Sequence, residues 1–178
     1  MRVILDACVL FPTGLRALLL DAAKAGYFTA LWSPRILDEW RLAAAKQGSD
    51  AGAEIALLEA EWPQASVDAS AVDIETLWLP DTGDRHVLAA AIAGKAPEIV
   101  TANLRDFPSR VLAKHGVTPR HPDTFLLEIA RQDAAFLAGL VQAQVSVAEV
   151  SLGISLNQRM FLKRAGLPRL AKYLEQAG

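Results

Sequence analysis

Through its first 120 residues the chain alternates short β-branched or apolar runs with helix-length amphipathic segments, and that alternation limits the fold more than any other feature. Arg2-Val3-Ile4-Leu5 is such a run and ends on Asp6. Residues 13–27 then place Leu15, Leu18, Leu19 and Ala22 on one helical stripe, with Gly26 as a stop. A second short run covers residues 28–32. Ser33-Pro34 reads as an N-cap and first helical residue opening a helix to about Gln47. A further helix is predicted over 53–62, stopped by Pro63, and a strand over 74–79. A helix over 84–95, a strand over 98–101, a helix over 108–115 and an edge strand at 117–118 complete the series. Strands separated by helices of this length close as parallel βαβ units. The expected class is therefore α/β, a small parallel sheet flanked by helices. From Asp123, read as an N-cap, the pattern is helical to the end, so the chain divides into a core over 1–125 and a helical C-terminal extension over 126–178.

With 178 residues, 52% of them hydrophobic, the chain can bury a core of its own. Its formal net charge of −2 excludes a nucleic-acid coat held by bulk charge, although the C-terminal 28 residues carry five cations against Glu175 alone. A lone cysteine, Cys8, excludes a disulfide framework and any cysteine-rich zinc module. The longest uncharged stretch, 134–148, is 15 residues and contains Gln142, Gln144 and Ser146, short of the about 20 that a spanning helix needs. Asp6 interrupts the apolar start too early for a signal peptide. These features predict no membrane span and a cytoplasmic location.

In an open parallel sheet, ligands bind beyond the carboxyl ends of the strands. Asp6 lies at one such end and Asp106 just after another. Singly, each also reads as a loop acid bonding nearby backbone groups. On the helix after Pro34, Ile36, Trp40 and Ala44 share a stripe. Glu39 flanks it, toward a cleft or toward Arg35, while Asp38 points to solvent. Asp84 is in phase with Val87, Leu88 and Ala91, so it starts its helix on the apolar face. A carboxylate there needs a cap, a partner or a metal, and capping of the Asp81-Thr82-Gly83-Asp84 turn is the competing account. Four acids from separate segments without clustered His or Cys suit hard divalent cations such as Mg²⁺ or Mn²⁺ rather than zinc. No G-x-S-x-G elbow, P-loop or G-x-G-x-x-G is present.

Asp6 after the first strand, the segment Ser33-Pro34-Arg35-Ile36-Leu37-Asp38-Glu39, the run from Leu79-Pro80-Asp81-Thr82-Gly83-Asp84 to Ala91, and Ile99 to Phe107 together resemble the PIN-domain family in order and spacing. The likeness covers roughly the first 125 residues and is nearest to the VapC-like toxins of bacterial toxin–antitoxin pairs. It implies a PIN-like fold and a metal-dependent endoribonuclease whose acidic quartet is Asp6, Glu39, Asp84 and Asp106, holding Mg²⁺ or Mn²⁺. Asp81 is the alternative third acid, and Thr101 and Asn103 match pocket-lining polar positions. Cys8 departs from the pattern, standing where many relatives carry Asn, and this questions a supporting hydrogen bond. The resemblance further implies an RNA substrate, a cognate antitoxin that covers the groove, and a homodimer. Arg85, Arg105 and Arg110 flank the motifs as candidate RNA contacts or as solvated surface charges. A housekeeping RNA-processing nuclease and a degenerate binding scaffold are the alternatives within the family. A dehalogenase-like phosphatase, which needs Asp-x-Asp, is opposed by Cys8.

Overall fold

A computed structural model describes residues 1–177. In chain order its regular elements are β1 (Arg2–Leu5), α1 (Ala7–Leu10), α2 (Thr13–Lys24), β2 (Thr29–Leu31), α3 (Pro34–Lys46), α4 (Gly52–Glu61), α5 (Arg85–Ala93), β3 (Glu98–Val100), α6 (Ser109–Leu112), β4 (Thr118–Arg120), α7 (Pro122–Gln132), α8 (Ala134–Leu152), α9 (Gln158–Arg164) and α10 (Pro168–Ala177). Contacts group them into two compact units, one of residues 1–11 with 28–120, the other of residues 12–27 with those from 121 onward.

The first unit is α/β. Its four strands lie in the order β2-β1-β3-β4 and every pairing is parallel. β1 pairs Ile4 with Leu31 on one side and with Ile99 on the other. The chain thus leaves β1 toward β2 in one direction and returns on its far side as β3, which makes the β1–β3 boundary a topological switch point. Asp6 and Thr101 stand just past the carboxyl ends of these two strands, and Asp6 N still donates to Val100 O at 3.1 Å. Pro119 is accommodated in β4 because that strand is an edge. α5 packs on β1, β3 and α3; its alanines at 89–91 are fully buried and allow close approach to the sheet. Trp32, Trp40, Ile36 and Phe107 complete this core.

Residues 74–79, expected as a strand, form instead a 3₁₀ turn (Ile74–Thr76) followed by extended chain outside the sheet. The turn is held locally: Asp73 Oδ1 accepts from Glu75 N at 3.1 Å, and Thr76 Oγ1 donates to Asp73 O at 2.7 Å. Beyond it Leu77 and Leu79 are buried while Trp78 is 61% exposed, so the alternation that suggested a strand records one-sided burial without pairing.

The second unit is all helical, with α2 and α7 packed on α8, and α10 packed on α7 and α9. Asp123, expected as the cap of α7, sits one turn-position inside that helix. His121 is the cap, its Nδ1 accepting from Asp123 N at 3.2 Å, with Pro122 at the first position. The Asp123 carboxylate accepts instead from Arg169 N and Leu170 N, each at 2.9 Å, and so caps α10. α8 runs past the stretch judged too short in the sequence. Its window Ala134–Ser151 has a mean hydropathy of 1.3 and is, by length and composition, long and apolar enough to cross a membrane. Its one charge, Glu149, accepts from Leu156 N at 2.8 Å near the helix end.

Candidate metal centre

At the switch point Asp81, Asp84 and Asp106 cluster, and Asp6 and Glu39 lie near enough for their charges to bear on Asp84. Asp6 follows β1, is nearly buried, and is oriented through one oxygen: Thr101 Oγ1 donates to Oδ2 at 2.7 Å and the Cys8 thiol donates to the same atom at 3.1 Å. Among the described residues no group bonds its Oδ1. Cys8 can act as donor because its thiol stays protonated. Burial, then the charge of Asp6, pushes its pKa up to about 12. Cys8 Sγ also accepts from Ala102 N at 3.3 Å, which ties the β1 loop to the β3 loop. The supporting hydrogen bond that Cys8 put in question is therefore present.

Thr101 is fully buried and accepts from Asn103 N at 3.0 Å through its hydroxyl. Asn103 in turn donates from Nδ2 to Asp106 Oδ2. The two polar residues thus orient two acids: Thr101 sets Asp6, and Asn103 sets Asp106.

Ser33 Oγ accepts from Ile36 N and, with Pro34 at the first position, starts α3. That start and the burial of Ile36, Leu37 and Trp40 bring Glu39 to the helix flank. Its partner is His86 rather than Arg35: His86 Nε2 lies 2.7 Å from Glu39 Oε1. Asp38 is turned away and pairs with Arg41 on the surface. Nothing in the linear order signals the contact of His86 with a residue 47 positions away.

Two neighbouring acids stand at the turn before α5. Asp81 Oδ1 accepts from Gly83 N at 2.7 Å and caps the 3₁₀ turn Thr82–Asp84. Asp84 N donates to Asp81 O at 3.3 Å, but among the described residues its carboxylate accepts no hydrogen bond and its Oδ2 is buried without a partner. Burial raises its pKa to about 6, with the charges of Asp6, Asp81, Asp106 and Glu39 adding in that order. Asp81, Asp84 and Asp106 each offer a carboxylate oxygen, and these oxygens lie within 4.8 Å of one another. A buried, unpaired oxygen amid like charges is the kind of donor set that a hard divalent cation satisfies.

The cations are placed unequally. Arg105 and Arg110 are exposed and hold no ion pair among the described residues. Arg85 is half-buried and turned to Glu75, 3.3 Å away.

A family model described as a PIN domain matches residues 2–105. The chain belongs to the PIN-domain family. Over 66 residues it is 41% identical to a protein of Mycobacterium tuberculosis (strain ATCC 25618 / H37Rv) named "Putative ribonuclease VapC50". That alignment covers 35% of this chain and 39% of the relative, so the chain spans about two-fifths of the length of the curated relative it matches. No solved structure matches significantly. The matched region of this PIN domain contains Asp6, Glu39, Asp81 and Asp84 and stops one residue short of Asp106.

Proposed function

We propose that the chain is a metal-dependent endoribonuclease acting as the toxin of a toxin–antitoxin pair. The observation that carries the reading is the convergence of carboxylates at the switch point around an Asp84 Oδ2 that is buried and unpaired. Asp6, Glu39, Asp84 and Asp106 would hold one or two Mg²⁺ or Mn²⁺ ions, with Asp81 beside them as cap and auxiliary ligand. Such ions supply a water of lowered pKa and offset the charge that develops on the phosphate. Family membership and the name of the Mycobacterium tuberculosis relative support the ribonuclease and toxin parts of this reading.

The protein's own groups act by position. Thr101 and Cys8 aim Asp6, Asn103 aims Asp106, and His86 aims Glu39, so the acids converge without having to reorganise. Attack of that water on phosphorus would expel the ribose oxygen, which would take up the proton the water loses. A negative site repels RNA, so the backbone must be held by cations at its edge. Arg105 and Arg110 are suited to this, whereas Arg85 is engaged by Glu75. An antitoxin inserting a basic side chain among the acids would silence the site. We further assign the protein to the cytoplasm, as a homodimer.

Purified wild type and Asp6→Asn should be compared on total RNA with Mn²⁺, Mg²⁺ or EDTA. Cleavage by wild type that needs a divalent ion and is lost in the folded variant is the expected result. Inert wild type, free of bound antitoxin, would leave the binding-scaffold alternative.

A further inference from the structure

Charge is divided between the two units. The α/β unit carries ten Lys and Arg against fourteen Asp and Glu, whereas the helical unit carries eight against six. The first, where the acids cluster, repels a polyanion; the surplus of cations in the second attracts one. On α10, Arg169, Lys172, Tyr173 and Gln176 recur at the i, i+3, i+4 and i+7 positions of one stripe, while Leu170, Ala171 and Leu174 opposite them are buried.

That stripe borders two hollows. One, of about 440 Å³, is closed on its other side by Leu127 and Arg131 of α7. The second, of about 370 Å³, is closed by Arg159 and Lys163 of α9. Lys172 and Gln176 line both, so the hollows adjoin as one groove across α10. Arg131, Lys163, Arg169 and Lys172 are exposed and hold no ion pair among the described residues. Arg159 is engaged by both oxygens of Glu175, each at 3.1 Å, and Glu175 is the only acid among the described residues of the two walls. The first amides of α10 are already given to Asp123, so the pull on an anion comes from the side chains. Four unpaired cations lining one groove repel one another, and an anion among them relieves that repulsion.

We propose that this groove is a docking site for single-stranded RNA, separate from the metal centre. Phosphates meet Arg131, Arg169, Lys172 and Lys163, and a base lies on the half-buried ring of Tyr173. The identity of the ligand rests on the ribonuclease reading. Cations interleaved with an aromatic ring fit a strand that alternates phosphates and bases, whereas an acidic peptide would satisfy the cations and leave the ring unused. Because the contacts go to phosphates and to the face of a base, the groove tolerates any sequence. Holding then falls to the helical unit and hydrolysis to the acids of the α/β unit.

The test follows the fluorescence anisotropy of a labelled single-stranded RNA of about 12 nucleotides, within the roughly 4–16 that such grooves cover, titrated with the full chain in EDTA. The triple variant Arg131→Ala, Arg169→Ala, Lys172→Ala should flatten the dependence of log affinity on log salt by about 2, three contacts at about 0.7 each. That is about a hundredfold in affinity between 1 M and 0.1 M salt. Tyr173→Leu should weaken RNA binding about tenfold with the slope unchanged, and should leave the binding of polyglutamate as it is. An unchanged slope in the triple variant overturns the groove. Polyglutamate bound more tightly than RNA, or RNA bound equally well by Tyr173→Leu, overturns RNA as the occupant in favour of an acidic protein segment. On wild type, RNA should also protect Lys163 and Lys172 from acetylation and leave the exposed Lys46 and Lys95 reactive. Equal reactivity of Lys163 and Lys172 with and without RNA overturns the proposal, and this readout decides if the triple variant does not fold. If wild type binds RNA in the groove yet leaves it intact with Mn²⁺, the ribonuclease reading fails and the groove stands. If the triple variant binds as wild type does and both cleave, the groove fails and the ribonuclease reading stands.

Discussion

Asp84 is the residue at which the charges of the site converge. In the absence of metal its pKa is raised from 3.8 to about 6, first by burial and then by its acidic neighbours. The folded protein therefore binds this proton more tightly than the unfolded chain does. The penalty is absent below about pH 4, where both states are protonated. It grows as pH rises toward 6 and is fully present above that. Asp84→Asn removes the charge and should raise the thermal midpoint of EDTA-treated protein at pH 7.5 by roughly 2–4 °C, with little change at pH 4. Scanning calorimetry of both proteins at both pH values checks this. An equal effect at the two pH values would mean that the site does not load Asp84 electrostatically. The same substitution should abolish cleavage, so that stability and function are opposed at this position.

Among the elements, α10 depends on a side chain far from it in sequence. Asp123 receives the amides of Arg169 and Leu170, two donors that the helix cannot satisfy itself. Asp123→Ala should cost about 1–3 kcal/mol and speed hydrogen exchange at the first turn of α10, with α7 keeping its cap at His121. Asp123→Asn, which can still accept one bond, should lose less. Slowed or unchanged exchange at α10 in the alanine variant would contradict the assignment. The segment before α5 shows the same dependence on local bonds. Asp73 and Asp81 each cap a short 3₁₀ turn, and the second of these turns presents Asp84.

For the whole molecule, a metal held by the acid cluster would be coupled to folding. A ligand that binds only the folded state stabilises it by mass action. Mn²⁺ at a hundredfold excess over its Kd should raise the midpoint of wild type by roughly 5–10 °C. Scanning fluorimetry with and without EDTA reads this, and a midpoint indifferent to Mn²⁺ would remove the metal site. Charge is distributed as unevenly as stability. The chain is slightly acidic overall, yet Arg105 and Arg110 are exposed and hold no ion pair among the described residues. Replacing both by alanine should flatten the dependence of RNA affinity on log salt by about 1.4, two phosphate contacts at about 0.7 each for a single strand. Titrations at several salt concentrations, with Ca²⁺ in place of Mn²⁺, measure the slope. An unchanged slope would place the RNA elsewhere.

The sequence by itself determined the parallel α/β class, the start of α3 at Ser33-Pro34, and which of Asp38 and Glu39 faces inward. These follow from local periodicity, caps and helical phase, which act over a few residues. Helical phase also marked Asp84 as an acid on an apolar face. The tertiary structure decided what local rules cannot see. It left residues 74–79 outside the sheet, where the Asp73 turn holds the segment by local bonds. It gave Asp123 to α10 across 46 positions. It paired Glu39 with His86 across 47 positions and Thr101 with Asp6 across 95. Each of these depends on which backbone groups and side chains meet once the chain has closed on itself. Such meetings are set by packing over long loops, and spacing along the chain carries no record of them.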